Sequence, residues 1–200
     1  MSTCDIYCLG PYFPRPRLSI EYYRIQDPLV RIPDQSVRRI MTTTAQGPPP
    51  RVGVAAVIRN SEGKLLFGKR LSSHGAGTWQ FPGGHLDYGE DFFTCAARET
   101  LEETALKVRP VKLIGVTNSV WHDLQKHYIT LFVLCEMEEA DAQPVVTEPD
   151  KCEAWYWREW QEVRTWAEHD DDPAPEWADK KCFMPIVNLA RDQPDLDLSR

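Results

Sequence analysis

The chain of 200 residues carries 30 acidic and 23 basic side chains, for a formal net charge of −7, and 42% of its residues are hydrophobic. This composition is typical of a folded domain and not of a disordered segment. The negative charge argues against a nucleic-acid polymer or an anionic membrane as partner. No apolar run in the sequence approaches the roughly 18 residues that a membrane span requires. We therefore expect a cytoplasmic protein that acts on a small molecule.

The first 50 residues differ in composition from the rest of the chain. They contain arginine but no lysine, are rich in proline, and end in Pro48-Pro49-Pro50. Such a segment predicts a flexible N-terminal extension, and we hypothesise that the natural product begins at Met41. A folded domain is expected over residues 51–192, followed by a frayed C-terminal tail at residues 193–200. The six cysteines are scattered, without metal-ligand spacing, and are expected to be free thiols.

Apolar runs and turn residues predict a succession of strands and helices. Residues 52–58 form a nearly continuous apolar run, which is typical of a strand buried on both faces. The turn signal at residues 60–63 makes residues 64–70 the hairpin partner of that strand. Further strands are predicted at residues 78–81, 111–119, 127–135 and 152–157, and helices at residues 91–104, 159–166 and 178–192. Pro185 must sit in the first turn of the last helix or break it. The fold class is α/β (α+β) with a mixed sheet.

Three glutamates share one face of the predicted helix at residues 91–104. Each residue advances an α-helix by about 100°, so Glu103 lies about 40° to one side of Glu99 and Glu102 about 60° to the other. The opposite face would pack on the sheet. Its residues are Phe93, Ala97, Thr100, Leu101 and Thr104. Burial of that face would present the three carboxylates together.

This carboxylate cluster is unfavourable for an isolated helix. Like charges at such spacing weaken a helix by a few tenths of a kcal/mol per pair, and the dipole disfavours anions near the C-terminal end. Arg98, which lies four residues before Glu102, can offset only part of this repulsion. A hard divalent cation such as Mg²⁺ or Mn²⁺, which prefers oxygen ligands, would resolve it. A solvated acidic face with one ion pair is the alternative interpretation.

The spacing of glycine and charged residues in this region follows a known motif. Gly84 is followed after five residues by Glu90 and, after seven more, by Arg98-Glu99-Thr100-Leu101-Glu102-Glu103-Thr104-Ala105-Leu106. This arrangement resembles the Nudix box, G-x5-E-x7-R-E-U-x-E-E-x-G-U, in which U is a bulky aliphatic residue. Thr100 and Ala105 depart from the pattern. We expect Thr100 still to face the sheet and Ala105 to let the helix run slightly longer.

The resemblance implies the Nudix fold, an α/β/α sandwich, and a Mg²⁺-dependent hydrolase, with Mn²⁺ as a second candidate ion. Family members cleave a nucleoside diphosphate linked to another moiety. Glu99 and Glu103 match the main metal-binding glutamates, and the Gly83 carbonyl is the implied third ligand. Glu102 would be a further ligand or the catalytic base, and Arg98 would orient the glutamates.

The sequence around the motif is similar to the MutT-like branch of the family. It is most similar to mammalian diphosphatases of thio-modified and oxidised purine deoxynucleoside triphosphates, over roughly residues 52–160. In this resemblance Gly83 and Gly84 leave room for the phosphates, whereas Met184 replaces a tryptophan. The implied substrate-binding residues are Lys69, Arg70, Phe81, Gly83, Gly84, His85, Thr130 and Met184. Tyr128, Trp155 and Trp157 fit either core or pocket, and His74, His122 and His169 are expected at the surface.

We expect the enzyme to cleave a nucleoside triphosphate, canonical or modified, to the monophosphate and pyrophosphate. Two alternatives stay open. One is hydrolysis of a non-nucleotide diphosphate such as an isoprenoid diphosphate, whose apolar tail would suit Phe81 and Met184. The other is a non-catalytic module that binds a nucleotide. The resemblance also makes a homodimer a candidate assembly, because the family often dimerises.

Overall fold

A computed structural model describes residues 47–72 and 74–198 of the chain. In chain order its elements are β1 (Arg51–Arg59), β2 (Leu65–Arg70), β3 (Trp79–Gln80), β4 (Gly83–His85), α1 (Phe92–Thr104), β5 (Val108–Trp121), β6 (Lys126–Met137), β7 (Cys152–Arg158), α2 (Trp160–Glu168), a 3₁₀-helix (Pro175–Lys180) and α3 (Met184–Asp192). The predicted extension at residues 1–50 lies outside the described residues, except for residues 47–50, which are exposed. None of the helices in the described ranges is long and apolar enough to cross a membrane.

The strands form a seven-stranded mixed sheet in the order β3-β2-β1-β6-β5, with β4 also paired to β1 and β7 to β2. Strand β1 runs parallel to β6 from Arg51 opposite Tyr128 to Arg59 opposite Glu136. The other strand pairs are antiparallel. The apolar run that was predicted as a doubly buried strand therefore lies in the middle of the sheet, as its composition requires.

Both faces of the sheet are covered by helices. Val54, Ala56 and Ile58 of β1 are buried with Cys95 and Ala96 of α1 on one face. On the other face Val57, Phe67 and Phe132 belong to a core cluster that includes residues of α2 and α3. This alternation along β1 follows the two-residue period of a strand. The structure confirms the predicted α/β/α sandwich, and the cysteines at 95, 135, 152 and 182 are buried free thiols.

Helix α1 ends at Thr104, the last residue of its predicted range, and does not run on through Ala105 as expected. Ala105 does not extend the helix but adopts a left-handed conformation with φ of 58°, so that its N–H donates to the Leu101 carbonyl at 3.0 Å. The chain turns there because Leu106 is buried in the core. The prediction that Leu101 packs on the sheet is also wrong, since its side chain is 48% exposed. Thr100, in contrast, is buried as predicted.

The last part of the chain differs from the prediction in two ways. The predicted helix at residues 178–192 begins only at Met184, and Pro185 occupies its first turn, where a missing N–H costs no intrahelical bond. The tail is not frayed up to Leu198, which is buried in the core. The Trp160 indole N–H also donates to the Leu196 carbonyl at 2.9 Å. Burial of Leu198 thus orders a C-terminal segment that the sequence alone predicted to be frayed.

Candidate active site

Helix α1 is anchored so that its glutamates face strand β4. The Asp91 side chain caps the helix by accepting a backbone N–H of the first turn at 2.6 Å. Thr100 and Thr104 are fully buried, and their hydroxyls donate to the carbonyls four residues earlier at 2.7 and 2.6 Å. Threonine can therefore replace an aliphatic residue at position 100, because its hydroxyl is not left without a partner.

One guanidinium, that of Arg98, holds three carboxylates, of which two lie on α1 and one, Glu90, precedes the helix. Arg98 donates through Nε and Nη2 to the two oxygens of Glu90, at 2.8 and 3.0 Å. Its Nη1 donates to Glu99 Oε1 at 2.9 Å and to Glu102 Oε2 at 3.2 Å. The Glu99 side chain is 15% exposed, whereas that of Glu102 is 57% exposed. Arg98 thus fixes the orientation of the partly buried Glu99 through charge-assisted bonds.

Strand β4 brings Gly83 to the last turn of α1. The Gly83 N–H donates to Glu103 Oε2 at 3.0 Å. Gly83 lies opposite Ala55 in the antiparallel pair, and the next residue of β1, Ala56, donates to the Pro82 carbonyl at 2.8 Å. Because hydrogen-bonded and non-hydrogen-bonded pairs alternate, the Gly83 N–H and carbonyl point away from β1. The double glycine therefore forms part of strand β4.

The double glycine is needed for a reason that the sequence did not reveal. A Cβ at Gly83, where φ is 149°, would collide with the Val54 carbonyl oxygen. A Cβ at Gly84 would collide with the carboxylate of Glu99. The crowding that excludes side chains here thus involves atoms of the protein itself, and it sets how closely β4 approaches both β1 and α1.

The carboxyl groups of this region differ in their acidity. Burial raises the pKa of Glu103 to about 7, partly opposed by the Gly83 N–H, and burial also raises the pKa of Glu99. The hydrogen bonds from Arg98 lower the pKa of Glu90 to about 2. The same bonds raise the pKa of Arg98 above its usual value. The site therefore contains two carboxylates whose negative charge is poorly compensated by the protein.

The donor set fits a hard divalent cation. In the part of the chain that the structure describes, no three side chains of His, Cys, Asp or Glu converge closely enough to hold a metal by themselves. Glu99 and Glu103, however, line one cavity together with Gly83. Mg²⁺ is commonly held by one or two carboxylates, with water and substrate phosphate completing its shell. A cation there would compensate the charge of the two carboxylates.

These residues open into a cavity of about 380 Å³. Of the predicted substrate-binding and metal-binding residues, eight line it: Arg70, Phe81, Gly83, Gly84, His85, Glu99, Glu103 and Thr130. The Phe81 ring packs on Phe67 at a centroid distance of 4.5 Å and forms part of the floor. Thr130 is nearly fully buried on β6. The His85 ring lies 3.2 Å from the Tyr128 hydroxyl. Residues far apart in sequence are thus gathered around one space.

Four of the predicted residues do not line the cavity. Arg98 and Glu102 lie behind its wall on α1, and Met184 is replaced in the lining by Phe183, Pro185 and Ile186. Lys69 points elsewhere, because its ammonium donates to the Asp179 carbonyl and lies 4.9 Å from the centre of the Trp79 ring. The assignment of Lys69 as a phosphate-side cation therefore finds no support in the geometry.

Arg70 lines the cavity, and each of its three guanidinium nitrogens already donates a hydrogen bond within the protein. Its Nε donates to the His74 carbonyl at 3.1 Å and its Nη2 to the Ser72 hydroxyl at 2.7 Å, while Nη1 donates to the Gln80 side chain. The guanidinium also lies over the Phe183 ring, 4.3 Å from its centre. Arg70 thus holds the loop after β2 in place.

An aromatic group on the cavity wall was missed by sequence reasoning. We call it the aromatic side, and it consists of His74, Trp121, Tyr128 and Phe183. Trp121 and Phe183 are stacked at 5.4 Å, and the His74 ring stands edge-on to them at 4.4 and 5.3 Å. Only Tyr128 was considered for the pocket, and His74 was expected at the surface. A signal existed for Phe183, because Pro185 marks a first turn and places Phe183 at the helix cap.

His74 is uncharged at neutral pH in this setting. Burial lowers its pKa to about 4, and the positive charges of Lys126 and Arg70 act in the same direction. Its Nε2 atom is buried without a hydrogen-bond partner in the described residues.

A second cavity residue that sequence reasoning missed is Lys151. Its positive charge lowers the pKa of Glu103, whereas burial raises that pKa. Its ammonium donates to Glu148 at 2.7 Å.

Comparison with known proteins agrees with this geometry. The family model for the NUDIX domain matches residues 49–178, which is more than half of the chain. A MutT NUDIX hydrolase from Burkholderia pseudomallei is 31% identical, over 55% of this chain and 83% of that chain, with a TM-score of 0.50.

Two more distant structures show the same fold. A MutT protein from Methanosarcina mazei Go1 is 21% identical over 74% of this chain and 97% of its own, with a TM-score of 0.53. A NUDIX hydrolase from Nitrosomonas europaea is 23% identical over 72% of this chain and 90% of its own, with a TM-score of 0.52. The chain described here therefore belongs to the NUDIX family and is a Nudix hydrolase.

Proposed function

We propose that the protein is a Mg²⁺-dependent pyrophosphohydrolase that cleaves nucleoside triphosphates, including modified ones, to the monophosphate and pyrophosphate. The observation that carries the proposal is a single cavity whose lining combines the Glu99 and Glu103 carboxylates with the aromatic side. A nucleoside triphosphate has an anionic part that binds through a cation and a planar base that stacks on aromatic rings. The two parts of the lining suit these two parts of the substrate.

The other part of the lining, which we call the carboxylate side and which contains Gly83, Glu99 and Glu103, would supply the reaction. Glu99 and Glu103, with the Gly83 carbonyl, would hold Mg²⁺, and Nudix hydrolases generally use divalent metal ions. A bound divalent ion offsets phosphate charge and polarises a phosphoryl oxygen. Arg98 keeps the Glu99 carboxylate in place through its 2.9 Å bond, and the Gly83 N–H does the same for Glu103 at 3.0 Å.

The chemical step itself is an in-line displacement. A glutamate of α1, drawn from Glu99, Glu102 and Glu103, would accept the proton of the attacking water, and pyrophosphate would leave from phosphorus. Glu102 stands apart from the other two because its side chain is exposed and does not line the cavity. Lys151, which does line it, would add positive charge beside the phosphates.

The aromatic side would receive the base. Trp121 and Phe183 present ring faces, and His74 adds an uncharged ring. The Thr130 hydroxyl, which is nearly buried on the cavity floor, offers a hydrogen bond to a base edge. This combination of rings with few polar groups is typical of small-molecule pockets. The similarity of the sequence to diphosphatases of modified purine nucleotides supports the same assignment.

A second candidate is the hydrolysis of a non-nucleotide diphosphate such as an isoprenoid diphosphate. The apolar residues Phe81, Phe132 and Ile186 line the cavity floor and would accept an aliphatic tail. Met184, which was expected to assist, does not line the cavity. This candidate predicts release of a prenyl monophosphate.

A substrate panel tests the proposal. The protein is incubated with Mg²⁺ and canonical, 8-oxo-purine and thio-purine nucleoside triphosphates, ADP-ribose and prenyl diphosphates, and the products are identified by liquid chromatography. We expect monophosphate and pyrophosphate from at least one triphosphate, and at least about 100-fold less turnover in Glu103→Gln at saturating Mg²⁺. Glu139→Gln, which changes an exposed acid in the bend after β6, is the matched control and should keep full turnover.

Three results would contradict the proposal. Turnover of prenyl diphosphates alone would favour the second candidate. Tight binding of a nucleotide without turnover would favour a non-catalytic module. Near-normal turnover in Glu103→Gln would remove Glu103 from the metal-binding group even if a triphosphate is the substrate.

A further inference from the structure

The last turn of α1 is bonded to parts of the chain that follow much later. An α-helix leaves its last four carbonyls without intrahelical partners. Here each of the four carbonyls accepts a hydrogen bond. Leu101 O accepts from Ala105 N–H at 3.0 Å, and Glu102 O accepts from the Thr147 hydroxyl. Glu103 O accepts from the Trp155 indole N–H at 3.2 Å, and Thr104 O accepts from Val145 N–H at 2.9 Å. The helix end that carries Glu103 is therefore held by the β6–β7 loop and by one side chain of β7.

The Trp155 side chain is itself fixed in one orientation. Its ring is partly buried and packs against the core cluster between α1 and the sheet. Gly68 of β2 lies opposite Trp155 in the register, and a Cβ at Gly68 would stand 2.8 Å from the ring carbon Cε3. The ring therefore occupies space that any other residue at position 68 would fill. Because the ring cannot turn freely, its N–H has a set direction toward the Glu103 carbonyl.

Glu103 is thus held at two points. Its backbone carbonyl accepts from Trp155, and its carboxylate accepts from the Gly83 N–H at 3.0 Å. Its backbone carbonyl also lies 3.4 Å from the Thr147 N–H, which is a weaker bond. A displacement of about 1 Å in a catalytic group can cost about 100-fold in rate. The bond from Trp155 holds the backbone of Glu103 itself, so any movement of the helix end that it prevents would otherwise displace the Glu103 carboxylate.

We propose that Trp155 is a positioning residue for Glu103, because its indole N–H fixes the backbone of the last helical turn and so the place of the Glu103 carboxylate beside Gly83. The inference rests on the proposed function, since it takes Glu103 as a metal-binding group. Trp155 does not line the cavity and acts only through the helix. It contributes to turnover without contact with the substrate.

A comparison of two tryptophans on the same strand face tests this. Trp155→Phe keeps an aromatic ring but removes the donor to Glu103. Trp157→Phe makes the same change two residues later, where the ring packs in the same cluster and donates to no described residue of α1. We expect kcat of Trp155→Phe to fall about 10-fold or more, with KM within about twofold, and the Mg²⁺ concentration for half-maximal rate to rise. Trp157→Phe should keep both kinetic constants within about twofold.

A second replacement separates the hydrogen bond from packing. Trp155 is replaced by 3-benzothienylalanine, which has the same shape but carries sulfur in place of the ring N–H. A role in packing alone would leave kcat and the Mg²⁺ dependence unchanged in this variant. The positioning role predicts that both change as in Trp155→Phe, while the melting temperature stays near that of the wild type. This variant keeps the test valid if Trp155→Phe folds poorly.

The possible outcomes are distinguishable from failure of the proposed function. Suppose that Glu103→Gln is inactive but the separate benzothienylalanine variant keeps the wild-type kcat. This result would overturn the role of Trp155 and leave the proposed function intact. A rise in KM with unchanged kcat would also overturn it, because it would place the effect on substrate binding. Equal turnover in the wild type and Glu103→Gln would instead remove Glu103 from the metal-binding group that the proposed function assigns to it, and the positioning role with it.

Discussion

The two sides of the cavity are held together by different forces. On the carboxylate side, Arg98 bonds Glu90, Glu99 and Glu102 at 2.8 to 3.2 Å. On the aromatic side, His74 and Trp121 meet ring to ring, with centroids 4.4 Å apart, and no hydrogen bond between aromatic-side residues is found in the described part of the chain. The first side comes from one stretch, residues 83–103, whereas the second is gathered from residues 74 to 183.

This difference explains how one fold can keep its chemistry while its substrate changes. Charge-assisted hydrogen bonds are directional, so the positions of the carboxylates tolerate little variation. Contacts between rings depend mainly on shape and area, so a side chain of similar size can replace another with modest cost. Under the proposed function, the carboxylate side would determine the reaction, and the aromatic side would determine which molecule is presented to it.

The glycines of β4 offer the strongest test of the carboxylate side. Gly84→Ala places a methyl group against the Glu99 carboxylate and would displace it from its bond with Arg98, so we expect about 100-fold lower kcat, with the free energy of unfolding within about 1 kcal/mol of the wild type. In Gly83→Ala, the added Cβ would collide with the Val54 backbone, and the φ of 149° is strained for alanine. The free energy of unfolding should therefore fall by about 2 kcal/mol or more. Enzyme kinetics and urea unfolding measure both.

Gly89→Ala is the control for these glycine substitutions. Gly89 has a φ of 81°, but a Cβ there would meet no atom within 4 Å. We expect about 1 kcal/mol of strain and unchanged turnover. A loss of turnover in Gly89→Ala equal to that in Gly84→Ala would show that backbone strain in this region, and not the Glu99 contact, causes the defect.

Substitutions on the aromatic side should change KM more than kcat. Phe183→Ala removes a ring from the cavity wall, and the loss of base stacking, worth about 1–3 kcal/mol, should raise KM about 10-fold while kcat changes less. The neighbouring Met184→Ala is the matched control, because Met184 does not line the cavity, and its KM should stay within about twofold. Steady-state kinetics of both variants with the nucleotide that the wild type hydrolyses fastest measure the two effects. A larger rise in KM for Met184→Ala than for Phe183→Ala would contradict the placement of Phe183, and not Met184, against the base.

Acid unfolding tests how the carboxylate side is held. The pKa of Glu90 is lowered to about 2, so its ionised form stabilises the fold above pH 4.5, and this contribution is lost as the pH falls from 4.5 to 2. Glu90→Gln should therefore be less stable than the wild type by about 1–3 kcal/mol at pH 7, and the difference should shrink below pH 4.5. Urea unfolding at several pH values measures it. A difference that does not depend on pH would argue against the ion pair.

The smallest expected effect concerns His74. Because the pKa of His74 is lowered to about 4, the unfolded chain binds a proton at this residue below pH 6.5 while the folded chain does not, and stability falls from pH 6.5 to 4. His74→Phe should remove this part of the pH dependence, at most about 1 kcal/mol. Melting temperatures between pH 4 and 7 measure it. The exposed His122 provides the control, and His122→Phe should leave the slope unchanged.

Local sequence signals predicted the elements that depend on local geometry. The nearly continuous apolar run at residues 52–58 gave the central strand, and the helical angle of about 100° per residue gave the common face of Glu99 and Glu103. The prediction was wrong where long-range packing overrides local preference. Ala105 is a good helix former, yet it ends α1 in a left-handed conformation because Leu106 must enter the core.

The sequence by itself determined the mixed α/β class and the carboxylate face of α1, because both follow from spacings within a few turns or strands, and the resemblance to the Nudix box implied the sandwich. Only the tertiary structure decided that Gly84 packs against Glu99, that Trp155 bonds the end of α1, and that His74 and Phe183 share a cavity wall. These contacts join residues that are between 15 and 109 positions apart in the chain. No local pattern encodes such contacts, because they depend on how the layers of the fold pack together.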